Sequence, residues 1–219
     1  AGPAWIGAPA IWDGSATPDG IGTLGEGVIV GIVDSGANFD HPSFAAVGGD
    51  GYVHVNPFGE GNFKGRCGLP ESDPLYWPFC NSKVVGAHDF VDEVEPLEGD
   101  DGPEDENSHG SHVASTAAGN FVETGLDTNT GFSVPLDVSG VAPHANLIIC
   151  DSCYTNEAGQ GLCPTSSNTA CIEAMTADGV DAINYSISGG TNPYNESASL
   201  AFLAAPAAGV YVSASAGNS

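Results

Sequence analysis

Val28-Ile29-Val30-Gly31-Ile32-Val33-Asp34-Ser35-Gly36 is an apolar, β-branched run that stops at an acid, a hydroxyl and a glycine. With no polar position from Val28 to Val33, it cannot alternate between core and solvent, so it reads as a strand covered on both faces. Outward from it, apolar runs of strand length alternate with helical patterns. A second strand, Val84-Val85, lies within 83–90, and an Ala-rich helix is expected over 108–118. Strands follow at 146–150, 182–186 and 210–214, with helices at 168–178 and 197–205. That alternation predicts an α/β fold of three layers, a mostly parallel sheet with helices on both faces. No internal repeat or linker interrupts it, so residues 1–219 are taken as one unit. In such sheets reactive groups collect at the carboxyl ends of the strands, and Asp34 stands at one.

Composition narrows the partners. Three Lys and Arg face 28 Asp and Glu, a formal charge of −25, while 41% of residues are hydrophobic. The apolar content can build a core, and the missing cations argue against nucleic acid and an anionic membrane as partners. They also leave few sites for trypsin-like proteases. No run of 18 apolar residues offers a membrane span. The chain starts Ala1-Gly2-Pro3 without an initiator Met or an apolar leader, which reads as a processed, exported polypeptide. Six cysteines without paired zinc-type motifs fit disulfides in an oxidising compartment. Cys67 and Cys80 enclose a short loop and are expected to pair. Cys150, Cys153, Cys163 and Cys171 allow three connectivities.

A carboxylate at the end of a buried strand is costly without a partner, so Asp34 calls for one. Of six histidines, His109 sits in the first turn of the Ala-rich helix, behind Asn107 and Ser108 as capping residues. A carboxylate on one ring nitrogen would fix its tautomer and leave the other as a general base. His109 and His112 together with Asp34 offer a weaker, metal-hydrolase reading. At the far end, Gly217-Asn218 follows a strand of small residues, where an amide can donate to a developing oxyanion. Between the second strand and the helix, nine of the fifteen residues 92–106 are acidic. They form either a solvated loop or a calcium site without EF-hand spacing. Asn184-Tyr185-Ser186 and Asn195-Glu196-Ser197 match the glycosylation sequon, the first inside a strand.

Five segments together resemble the subtilisin-like serine proteases, in the family's order: VGIVDSGANFDHPSF (30–44), NSHGSHVASTAAG (107–119), GVAPHANLIIC (140–150), DAINYSISGG (181–190) and ASAGNS (214–219). The cysteine-bounded loop is similar to that of the larger, secreted members. The resemblance implies that Asp34 is the triad aspartate, His109 the general base and Asn218 the side-chain donor of the oxyanion hole. It places Ser186, Ile187, Ser188 and Gly189 on one wall of the substrate pocket, and Ala214, Ser215, Ala216 and Gly217 on the other. The implied activity is that of a secreted, extracellular serine endopeptidase on protein or peptide substrates. Its chemistry needs no cofactor and no catalytic metal, with a structural calcium as an option.

The chain departs from that pattern twice. Ser188 stands where the family usually has Gly, and the family's G-T-S-M-A segment with the nucleophile is not among residues 1–219. The expectation is therefore the amino-terminal part of a catalytic domain, truncated at its carboxyl end. It would be inactive and unstable alone, with the serine-bearing remainder as its partner. The alternative is a non-catalytic peptide-binding relative or an inert fragment.

Overall fold

A computed structural model describes residues 2–91, 102–127, 133–156, 158–188, 192 and 194–218. Ten strands occur among these residues: β1 (Ile29–Asp34), β2 (Lys64–Gly65), β3 (Val84–Asp89), β4 (Val122–Asp127), β5 (Ser133–Val138), β6 (Asn146–Asp151), β7 (Tyr154–Thr155), β8 (Gly161–Leu162), β9 (Ala182–Tyr185) and β10 (Tyr211–Ala214). The α-helices are α1 (Gly2–Trp5), α2 (Ala8–Trp12), α3 (His109–Ala118), α4 (Thr165–Asp178) and α5 (Ser197–Ala207). Six strands form one sheet in the order β10-β9-β1-β6-β3-β2. Every pairing in it is parallel. From β1 the chain runs to the far edge at β2 and returns through β3 and β6, whereas from β9 it continues to β10 at the opposite edge, so the connections leaving β1 and its neighbour β9 diverge, the usual place for a ligand crevice.

The two-residue period of the strands divides the core. Ile29, Val33, Ile148, Cys150 and Ile183 face Ile172 and Met175 of α4 and Ala198 and Ala205 of α5. Ile32, Leu147, Ile149, Val84 and Ala87 face Ala114 and Ala118 of α3. This is the three-layer arrangement the sequence predicts, and each buried Ile, Leu or Val contributes roughly 1.5–3 kcal/mol. Gly31 lets α4 close on β1, since an added Cβ would come within 2.5 Å of the Met175 sulfur.

Boundaries of the expected elements hold to within a few residues. α4 starts at Thr165, three residues earlier than expected, because the Pro164 carbonyl accepts the Asn168 amide and begins the helix there. The antiparallel pairs β4–β5 and β7–β8 and the helices α1 and α2 were not expected. Pro135 inside β5 argues against a strand from sequence. β7–β8 is too short to show alternation, and its turn rests on Asn156, whose Oδ1 accepts the Ala158 and Gln160 amides.

All six cysteines are paired: Cys67–Cys80 as expected, Cys150–Cys171 linking β6 to α4, and Cys153–Cys163 closing the β7–β8 hairpin. The three cations are all engaged. Lys83 is fully buried and donates to the Pro143 and Ala145 carbonyls, Arg66 meets Asp89 at 2.9 Å, and Lys64 lies over the Phe58 ring. No helix among the described residues is long and apolar enough to cross a membrane.

Candidate active site

β1 delivers Asp34 to its carboxyl end, buried to 1% exposure. Its backbone is held from the neighbouring strand's exit, where the Ser152 amide donates to the Asp34 carbonyl at 2.8 Å. Asp34 Oδ1 accepts the Ser35 amide at 2.9 Å and His109 Nδ1 at 2.7 Å. Oδ2 is buried with no hydrogen-bond partner among the described residues. Burial pushes the Asp34 carboxyl above the ordinary carboxylate value, against the opposing pull of the His109 and Ser35 hydrogen bonds and the His109 charge.

With the carboxylate accepting, Nδ1 of His109 carries a proton, so in the neutral ring the lone pair lies on Nε2. Nε2 has no hydrogen-bond partner among the described residues, and the side chain is 56% exposed. The imidazole thus has one nitrogen fixed by a buried acid and the other open to a cleft of about 590 Å³.

His109 owes its place to two unusual backbone features. Ser108, just ahead of it, has φ +71°, the single non-glycine residue in the left-handed region among those described. That conformation costs roughly 1–2 kcal/mol. At Gly110 a Cβ would strike the Gly36 carbonyl, so only glycine lets α3 abut the turn that follows Asp34. Capping follows expectation at Asn107, whose Oδ1 accepts the His109 amide at 3.0 Å, and departs from it at Ser108, whose side chain caps nothing. Two caps come from elsewhere: Ser35 Oγ accepts the Gly110 amide at 3.0 Å and Asp105 Oδ2 that of Ser111 at 2.7 Å.

Asp34, His109, Ser186, Ile187 and Ser188 line the same cleft, with Cys153, Thr155, Gly161, Leu162 and Cys163 of the hairpin region. Ala214 to Gly217 leave β10 beside that wall: the Ser215 amide donates to the Tyr185 carbonyl at 2.9 Å and its hydroxyl to the Ile187 carbonyl at 3.1 Å. These four residues are not among the cleft lining, and neither is Asn218, which is exposed. Gly189 and most of the acidic run, 92–101, lie outside the described residues. Among the described residues no three His, Cys, Asp or Glu side chains converge as metal ligands. Sequence reasoning passed over Ser35 as a cap, Asp105 and the hairpin lining. The available signal was Asp105 two and three residues ahead of the Asn107 and Ser108 amides, a spacing at which Asp turns on its own backbone.

A buried acid on β1, holding a helix-borne imidazole over a cleft, makes a candidate acid–base site in a three-layer α/β protein. Residues 25–219 match the subtilase family, and the chain belongs to that family. It is 31% identical over 238 aligned residues to subtilisin-like protease SBT2.5 of Arabidopsis thaliana, covering 99% of this chain and 26% of that protein. Subtilisin-like protease SBT2.1 of the same plant is 32% identical over 206 residues, covering 89% of this chain and 23% of its own. The chain therefore spans about a quarter of the length of these relatives.

Proposed function

We propose that residues 1–219 are the Asp-, His- and Asn-bearing part of the catalytic domain of a secreted serine endopeptidase. The observation that carries this reading is the 2.7 Å contact of His109 Nδ1 with buried Asp34, with Nε2 left open at the cleft. No hydroxyl or thiol among the described residues bonds to Nε2, and Ser35 is occupied as a helix cap. Since the serine-bearing segment that the family resemblance implies is not among residues 1–219, the nucleophile would be a serine outside them.

Its hydroxyl attacks the scissile carbonyl while His109 Nε2 takes its proton. Asp34 keeps the ring in the Nδ1–H tautomer and stabilises the imidazolium that forms. Asn218 and a backbone N–H receive the tetrahedral oxyanion. His109 then returns its proton to the leaving amine, and water repeats the sequence on the acyl-enzyme. Ser186 to Gly189 and Ala214 to Gly217 flank the substrate peptide. The chemistry needs no cofactor. A calcium ion on residues 92–106 would act on stability alone, seen as a chelator-induced fall in melting temperature.

The test is a fluorophosphonate probe applied to the native full-length protein, followed by intact mass and peptide mapping. Label on a serine beyond position 219, lost on prior heat denaturation, supports the reading. An unlabelled, folded protein overturns it in favour of a peptide-binding relative.

A further inference from the structure

Three amides open α3, and the side chains that cap them come from Asn107, Ser35 and Asp105. Asp105 touches the whole set. Its Oδ1 accepts the Asn107 amide at 3.1 Å and the Ser108 amide at 2.9 Å, and its Oδ2 accepts the Ser111 amide. The Ser35 hydroxyl lies 3.0 Å from both Asp105 Oδ1 and Asn107 Oδ1, its single hydrogen serving one of them. Asp105 is itself tied to the exit of β1, because the Ala37 amide donates to the Pro103 carbonyl at 3.1 Å and Ala37 bridges Glu104. One carboxylate therefore spans the turn that carries Asp34 and the helix start that carries His109.

We propose that Asp105 is the positioning residue of the Asp34–His109 pair, holding Ser108 in its left-handed conformation so that α3 begins where His109 Nδ1 reaches Asp34. The proposal rests on the endopeptidase reading for its rate effects and on geometry alone for the rest. Without the carboxylate, Ser108 relaxes toward an ordinary backbone conformation and the imidazole moves with it. Gly110, pressed against the Gly36 carbonyl, leaves no slack in which a tilt of α3 could be absorbed. A displacement near 1 Å at the reacting groups costs about 100-fold in rate.

Asp105→Ala and Asp105→Asn in the full-length protein separate this role from simple helix capping. Asparagine keeps an acceptor for Asn107 and Ser108 but turns an NH₂ toward the Ser111 amide. The expected result, per fluorophosphonate-titrated site, is kcat down about 100-fold for Asp105→Ala and about 10-fold for Asp105→Asn, with KM within about twofold. A plain cap would lower the melting temperature and leave kcat per titrated site unchanged, which overturns the proposal. Ser35→Ala in the same network, combined with Asp105→Ala, should cost less than the product of the two single effects, whereas a full product argues for independent caps. If Asp105→Ala does not fold, Asp105→Asn decides alone.

An activity-independent readout is the far-downfield Nδ1 proton of His109 in protein labelled with ¹⁵N-histidine. Its loss or broadening in Asp105→Asn supports the proposal, and an unchanged resonance overturns it. If the wild type takes no fluorophosphonate, the endopeptidase reading falls and this resonance still decides the positioning role.

Discussion

His109 and His144 both meet carboxylates at 2.7 Å, yet their surroundings assign them opposite tasks. His109 spends one nitrogen on Asp34 and leaves the other to the cleft. His144 spends both, Nδ1 on Glu26 and Nε2 on Asp50, and stacks on Tyr52 at 3.7 Å between centroids. A ring with both nitrogens engaged joins the chain near residues 26, 50 and 144 but has no atom left for chemistry. A free nitrogen is not enough on its own, since His54 Nδ1 is also without a partner among the described residues but buried; His109 differs in that its free nitrogen opens on the cleft.

The sharpest way to break that comparison is to remove each ring in the full-length protein. His109→Ala should lower turnover by about 10⁶-fold with little change in melting temperature. His144→Ala should lower the melting temperature and leave turnover per titrated site within about twofold. Equal losses of turnover would erase the distinction. Next comes Asp34→Asn, expected to cost about 10³–10⁴-fold in turnover through the wrong imidazole tautomer. Its melting temperature should match or exceed wild type, because a buried charge with an unpartnered oxygen is gone.

The third effect is on acid stability. Partial burial pushes Glu26 up, but the hydrogen bond from His144, with those from Thr23 and the Leu24 amide, overrides it and holds the carboxyl at about 2. The folded value is depressed, so the stability it contributes is present above its ordinary value of 4.5 and is lost as pH falls toward about 2. Glu26→Gln should flatten the fall in unfolding free energy across that window, measured by denaturant titration. The smallest effect concerns Lys83, whose ammonium donates to the carbonyls on either side of His144. Desolvation lowers it to about 7, so from there upward the unfolded chain binds the extra proton and stability rises with pH. Between pH 7 and 9, Lys83→Met should lose that rise.

Much of this architecture was legible because the sheet is buried on both faces. β1 and β6 carry the apolar runs 29–33 and 147–150, and the abrupt end of the first at Asp34 marked the candidate site directly. His109 was legible from its small-residue, helix-start setting. The partners of His144 were not, since Glu26 and Asp50 lie 118 and 94 residues away and nothing local requires them. Asp105 was hidden for the opposite reason, being one acid among nine in 92–106. The nested Cys150–Cys171 and Cys153–Cys163 pairs follow from the packing of β6 on α4 and from the hairpin, neither of which spacing alone reveals.

The engagement of all three cations has a consequence for whatever approaches from solution. With Lys83 sealed inside, Arg66 tied to Asp89 and Lys64 laid on Phe58, the surface offers no loose positive side chain to offset its carboxylates. A diffusing polycation is drawn in from beyond contact range and an acidic polymer is turned away. Both effects fade once salt shortens the field to about 10 Å at 0.1 M. Ionic strength therefore sets how far from this surface a charged polymer is attracted or repelled.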